Sequence, residues 1–180
     1  MSDRYLCKAK DKDDGEWYEG YYLQLHDTTY CCMPSDNTAE AKRLNEENTH
    51  HYIVFEQMTD WGLPNKYLRA EILPETRCRY TEFTDKNGNK IWENDITRLV
   101  LPNGEVRYFK VSFKKVVREV ACHPDFDDDV AKVELNAVCF EWNGYDLFPC
   151  VDVAGISDVA KMAVVGNIFD NPELLEGGTE

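Results

Sequence analysis

The side chains able to do chemistry here are four histidines, seven cysteines, an acidic run and one alternating basic stretch. His26, His50, His51 and His123 are the imidazoles, and the neighbours His50 and His51 point to opposite faces of a regular strand. They cannot both serve one site there. No Ser or Cys occupies a nucleophile elbow, no GxxxxGKS or GxxxxGKT run cradles a phosphate, and no GxGxxG follows a strand. No catalytic residue is assigned. That turns the reading away from an enzyme without closing it, because distant segments can converge.

Cys7, Cys31, Cys32, Cys78, Cys122, Cys139 and Cys150 are an odd set without a secretory signal before them, which points to reduced thiols. No CxxC pair of the kind that closes a zinc site occurs. Cys31 and Cys32 with Cys122 and His123 form the one set that could converge on a metal, and no metal or cofactor is expected. Asp125, Asp127 and Asp129 have the one-three-five spacing of a calcium loop, but Val130 stands where the loop needs Gly and Asn136 where it needs a bidentate Glu. A solvated acidic loop follows. Asp85 to Asn89 fails the same test at Ile96 and reads as a hairpin turn. From Val106 to Arg118 the residues alternate: Phe109, Val111, Phe113 and Val117 are expected on a core face, and Tyr108, Lys110, Ser112, Lys114 and Arg118 on the other. Tyr108, Lys110, Lys114 and Arg118 are the candidate ligand-binding residues.

These groups belong to a chain of 180 residues in which 43% hydrophobic and 12% aromatic side chains supply enough apolar surface for a folded core. One domain is expected over residues 1–176, with a variable insertion at about 27–70 and a frayed tail at 177–180. A formal charge of -14 repels phosphate backbones and anionic lipid, so direct nucleic-acid binding and a membrane role are not expected. The apolar runs are too short for a membrane span, and a cytoplasmic protein is expected. Charge is uneven: residues 97–118 carry six basic and one acidic side chain, whereas residues 119–180 carry two and 14. Such segments either form a ligand site beside a solvated tail or face each other in a sheet, and the second reading is preferred.

Turn signals dominate the spacing of elements. Arg4 to Lys10 and Glu16 to Leu25 flank a loop closing at Asp14-Gly15, and Asn87-Gly88, Asn103-Gly104 and Asn143-Gly144 each suit a hairpin turn. Helix signals are confined to Asn37 to Glu47, with capping-box spacing, and to Asn171-Pro172 at the start of a short C-terminal helix. Gly166-Asn167, between Val165 and Ile168, suggests a bulge or a close backbone approach.

Three stretches together resemble the YopX family of phage and prophage proteins. The first runs from Arg4-Tyr5 to Gly15-Glu16-Trp17 and Glu19-Gly20-Tyr21; the second holds Glu75-Thr76, Tyr80-Thr81, Asp85 to Glu93 and Asp95-Ile96; the third spans Val164 to Leu175. Two departures stand out, Asn94 and Glu82, where the family tends to have Gly. Asn suits a left-handed backbone and Glu does not, so the turn near Glu82 is expected to differ. The resemblance implies a phage- or prophage-encoded, β-rich, barrel-like domain with no assigned activity. Its signature residues, Trp17, Gly20, Asn87, Gly88, Asp95, Gly166, Asn167, Asn171 and Pro172, read as folding determinants.

The expected fold is therefore α+β and mainly β: a folded, barrel-like antiparallel or mixed sheet built from hairpins, with one inserted helical region and a short C-terminal helix. The expected role is that of an accessory protein in the bacterial host cytoplasm, binding a host or phage macromolecule as a protein partner or homo-oligomer. Two alternatives accompany it: capture of a small phosphorylated or nucleotide ligand on the basic strand face, and acidic mimicry of DNA.

Overall fold

A computed structural model describes residues 3–28, 38–121 and 130–176. Its main chain clusters into two compact units, Met1–Tyr80 and Thr81–Glu180. Asn37, Cys31, Cys32, Cys122, His123, the run Asp125 to Asp129 and the tail at 177–180 lie outside the described residues.

In the first unit, β1 (Leu6–Lys10) and β2 (Trp17–His26) close an antiparallel hairpin with Leu6 opposite Tyr21 and Lys10 opposite Trp17. Gly15 takes a φ of 73° in its turn, and the Asp11 carboxylate accepts the Asp13 and Asp14 amides at 2.7 and 3.1 Å. The helix α1 (Thr38–Glu47) follows. It stops where the Asn48 side-chain amide and backbone N–H both donate to the Leu44 carbonyl. The stretch read as an insertion also supplies two strands, β3 (Thr49–Gln57) against β2 and β4 (Lys66–Glu71) against β3. Their mixed, polar sequence shows little alternation because β4 is mostly exposed. The β5 strand (Cys78–Thr84) places Cys78 opposite Lys8, giving the order β4-β3-β2-β1-β5. Cys7, Ala9, Ile53 and Ile72 form the core, with Tyr18, Tyr22 and Phe55 at its border.

In the second unit, the far half of β5 lies beside β6 (Lys90–Trp92), and Thr81 Oγ1 donates to the Ile91 carbonyl at 2.7 Å. A five-stranded antiparallel sheet follows, built from β7 (Asp95–Val100), β8 (Val106–Ala121), β9 (Val130–Trp142), β10 (Tyr145–Leu147) and β11 (Ala163–Asn167) in the order β10-β9-β8-β7-β11. Gly88, Gly104 and Gly144 hold positive φ in the hairpin turns, joined by Asn143 at 47°. The four-residue α2 (Glu173–Glu176) ends the described chain. Ile91, Phe109, Val111, Phe140, Val159 and Met162 form this unit's core.

Two points correct the sequence reading of the fold. The sheets are not closed into a barrel, although every pairing shown is antiparallel, one of the two arrangements expected. Closure would need the outer strands to pair, but the second sheet ends on the three-residue β10 and on β11, whose register shifts between Val164 and Gly166. Val117 is not in the core either; it is 59% exposed, because β8 runs beyond the strands that could cover it.

Candidate functional site

The alternating basic residues are positioned by β8, whose partner β9 stays in unbroken register from Lys110 opposite Glu141 to Ala121 opposite Val130. Near the base, Tyr108 and Lys110 line a cleft of about 210 Å³ with Glu141, Trp142 and Leu175. Lys114 stands between Asp146 at 2.6 Å and Glu141 at 3.4 Å. The hydrogen bond its ammonium donates to Asp146, helped by Glu141, holds it above the ordinary lysine range despite partial desolvation. Burial pushes the Glu141 carboxyl up, but the charges of Lys110 and Lys114 beside it help to outweigh that and keep the group ionised to lower pH. Arg118 is further out, its guanidinium 4.4 Å from the Phe148 ring centroid and donating to the Val117 carbonyl at 3.1 Å.

The four candidates therefore do not converge. Tyr108 and Lys110 share the cleft, Lys114 is held by two carboxylates and Arg118 packs on an aromatic ring. The basic segment faces acidic residues of the C-terminal third, which cancels the charge an anion would need. The cleft is also smaller than the roughly 300 to 1,000 Å³ of ordinary small-molecule pockets.

Beyond the base, the hairpin becomes a two-stranded arm. β7 pairs with β8 only as far as Ile96 opposite Lys110, and β10 meets β9 only from Phe140 to Trp142. Among the described residues, no third strand pairs with 114–121 or 130–137. Register places Val116 opposite Leu135, Arg118 opposite Val133 and Val120 opposite Ala131, all on one face. The other face carries Lys115, Glu119, Lys132 and Glu134, with ion pairs of 3.5 Å between Lys115 and Glu134 and 3.8 Å between Lys132 and Glu119. The arm is amphipathic, and its apolar face keeps Val120 and Leu135 exposed at 40% and 44%.

This apolar stripe was missed in the sequence because the buried parity changes along one strand. Phe109 and Val111 lie in the core, whereas Val116 and Val120 belong to the opposite set. The doublets Lys114-Lys115 and Val116-Val117 are the available signal: they break the period of two where the side that is apolar switches.

The remaining signature residues lie at turns and near strand ends, apart from Gly20, which lies within β2. Asp85, buried, accepts the Asn87 and Asn89 amides at 2.8 and 2.9 Å through Oδ1 and the Val164 amide at 3.0 Å through Oδ2. These bonds tie the turn around Gly88 to β11. Asp95 accepts the Trp92 amide at 2.8 Å, and Asn167 Oδ1 accepts those of Phe169 and Asp170 at 2.9 and 3.0 Å. A Cβ on Gly166 would approach the Asn171 carboxamide, to 2.8 Å from its Cγ, and the Leu175 amide donates to the Pro172 carbonyl. A Cβ on Gly20 would collide with the Val54 carbonyl, and Lys8 and Lys10 reach over the Trp17 ring. His50 lies between Glu71 and Asp27 at 2.9 and 3.0 Å. Among the described residues no three His, Cys, Asp or Glu side chains are grouped to hold a metal ion, and no helix is long and apolar enough to cross a membrane.

A family model described as YopX protein matches residues 7–176. No curated protein matches the chain.

Proposed function

The chain belongs to the YopX family, and we propose that it is a non-catalytic accessory protein of a phage or prophage that binds a protein partner in the host cytoplasm through the β8–β9 arm. The observation that carries this reading is the arm's face of Val116, Val120, Ala131, Val133 and Leu135, apolar apart from Arg118. A two-stranded ribbon gains little stability by itself, and its unpaired edges and exposed valines are the features a partner strand or apolar groove covers. Binding then needs no new pocket, only the addition of a surface to one that is already extended.

The test is Val120→Lys with Leu135→Lys, placed on exposed positions so that stability stays within about 0.5 kcal/mol of the parent. Partners cross-linked to the parent protein in host cells, and molar mass by light scattering, are compared between the two. The expected result is loss of a cross-linked protein, or of a mass above one chain if the partner is a second copy. A partner and mass unchanged by both lysines would defeat the proposal.

A further inference from the structure

Within the second unit, a cavity of about 130 Å³ opens between the core face of the five-stranded sheet and the chain that crosses it. Register places Leu99 opposite Arg107, Thr97 opposite Phe109 and Phe140 opposite both Val111 and Leu147, so these side chains share one face. The chain leaving β10 supplies Phe148 to the cavity wall, and after the 3-10 turn Asp158–Lys161 it brings Met162 against Phe109 and Phe140. Those three residues are buried and make the floor. Leu147 is 40% exposed, and Arg107 and Asp158 are half-buried, so the cavity runs from the core to the surface.

The floor offers little to water. Its side chains are two phenyl rings and a thioether, and the Thr97 hydroxyl on the same face already donates to Met162 Sδ at 3.6 Å. An apolar void of about 150 Å³ stays dry and holds one benzene ring, and left unfilled it deprives the surrounding core of packing contacts. The rim is polar but electrically balanced. Arg107 Nε donates to Glu105 Oε1 at 2.7 Å with the guanidinium carbon 4.3 Å from the Trp142 ring centroid, and Asp158 pairs with Lys161 at 3.3 Å. An ion arriving there meets no surplus of opposite charge, whereas a hydroxyl, which both donates and accepts, can use either residue.

We propose that this cavity is a binding site for an uncharged single aromatic ring carrying one hydroxyl, a small molecule of the phenol class. The ring fills the floor, in edge or offset contact with Phe109 and Phe140 and against the polarisable sulfur of Met162. Its hydroxyl stays at the rim, where Arg107 donates or Asp158 accepts. Size sets the upper limit: 130 Å³ is well short of the roughly 300 to 1,000 Å³ of ordinary small-molecule pockets, so a nucleotide does not enter and one ring does. The wall stands before the ligand arrives, because the Arg118 guanidinium carbon packs 4.4 Å from the Phe148 ring centroid and little ordering is left for binding to impose.

The experiment follows the Met162 methyl resonance of the full chain during titration with phenol, benzene and benzoate at neutral pH. Met162→Leu identifies that signal among the four methionines. Phenol should give a saturable ring-current shift, and benzoate should bind more weakly because its carboxylate must leave water. Leu147→Trp, at an exposed rim position, closes the mouth and should abolish the shift; Leu101→Phe, also on the cavity wall, serves if the first variant does not fold. Arg107→Met with Asp158→Asn should weaken phenol by roughly fivefold, the loss of one hydrogen bond, and leave benzene unchanged. A Met162 signal in folded protein that phenol does not move, or phenol affinity unchanged in the variant that closes the mouth, overturns the site. Benzoate bound more tightly than phenol, or equal losses of phenol and benzene in the rim variant, overturns the ligand class.

Discussion

Glu82 takes a φ of 66° inside β5, and Asn94 a φ of 67° just before β7. Both are positions where the sequence reading, from its resemblance to the family, expected Gly. At Glu82 the backbone takes the left-handed conformation, so a residue with a full side chain carries the strain there. Asn bears that conformation cheaply because its short side chain bonds nearby backbone, whereas Glu pays about 1 kcal/mol for its Cβ. Glu82→Gly should therefore raise stability, by up to about 1 kcal/mol less the extra entropy Gly loses on folding. Denaturant midpoints decide it. Glu82→Ala keeps the Cβ and should give no gain; a midpoint that falls with Gly would show that the side chain's contacts outweigh the strain.

At the scale of elements, β11 is held by what happens at its end. The register shift between Val164 and Gly166 brings the chain round so that Asn171 lies against Gly166, with the Asn171 amide donating to the Asn167 carbonyl at 2.9 Å. The obstacle to a side chain at residue 166 is thus a carboxamide rather than a neighbouring strand. Gly166→Val should cost more than the ~1 kcal/mol typical of a point mutant. In a double-mutant cycle of Gly166→Ala with Asn171→Ala, the pair should cost less than the two single losses added together, because removing the carboxamide opens the space the new methyl needs. Additive losses would mean that Gly166 is required for its backbone alone. The arm shows the same dependence on neighbours: Val117 continues the alternation of Phe113, yet it is exposed because no third strand lies beside it.

For the whole molecule, charge sets how stability varies with pH. With 34 acidic and 20 basic residues, the folded chain repels itself near neutrality, and acidification toward its isoelectric point relieves that. Hydrogen bonds from His50 to Glu71 and then Asp27 raise the His50 folded pKa, so its contribution is full below the unfolded value and is lost as pH rises through the folded one. Asp85 acts at the other end. Burial pushes its carboxyl up, but the amides of Val164, Asn89 and Asn87 outweigh that and hold it below the ordinary Asp range. Its contribution is present above the unfolded pKa and disappears as pH falls through the folded value. Stability should therefore peak at about pH 5 and fall below about pH 4. Asp85→Asn should flatten the acid limb while lowering the plateau. Denaturation of both proteins across this range checks it, and parallel acid limbs would remove Asp85 from the account.

What the amino-acid order settles alone is local. Asp14-Gly15, Asn87-Gly88, Asn103-Gly104 and Asn143-Gly144 turn the chain because each ends on a glycine that bears positive φ, and alternation through Phe109, Val111 and Phe140 marks the core strands. Helix α1 was legible in its capping spacing for the same reason: such signals involve atoms a few residues apart. Which strands lie side by side is not local. That Lys114 meets Asp146 rather than a ligand, that β8 outruns β7, and that Leu99, Phe109 and Phe140 line one cavity from three separate strands depend on register between distant strands. A one-residue slip would turn each of these side chains to the other face, so only the folded sheet decides which groups can act together.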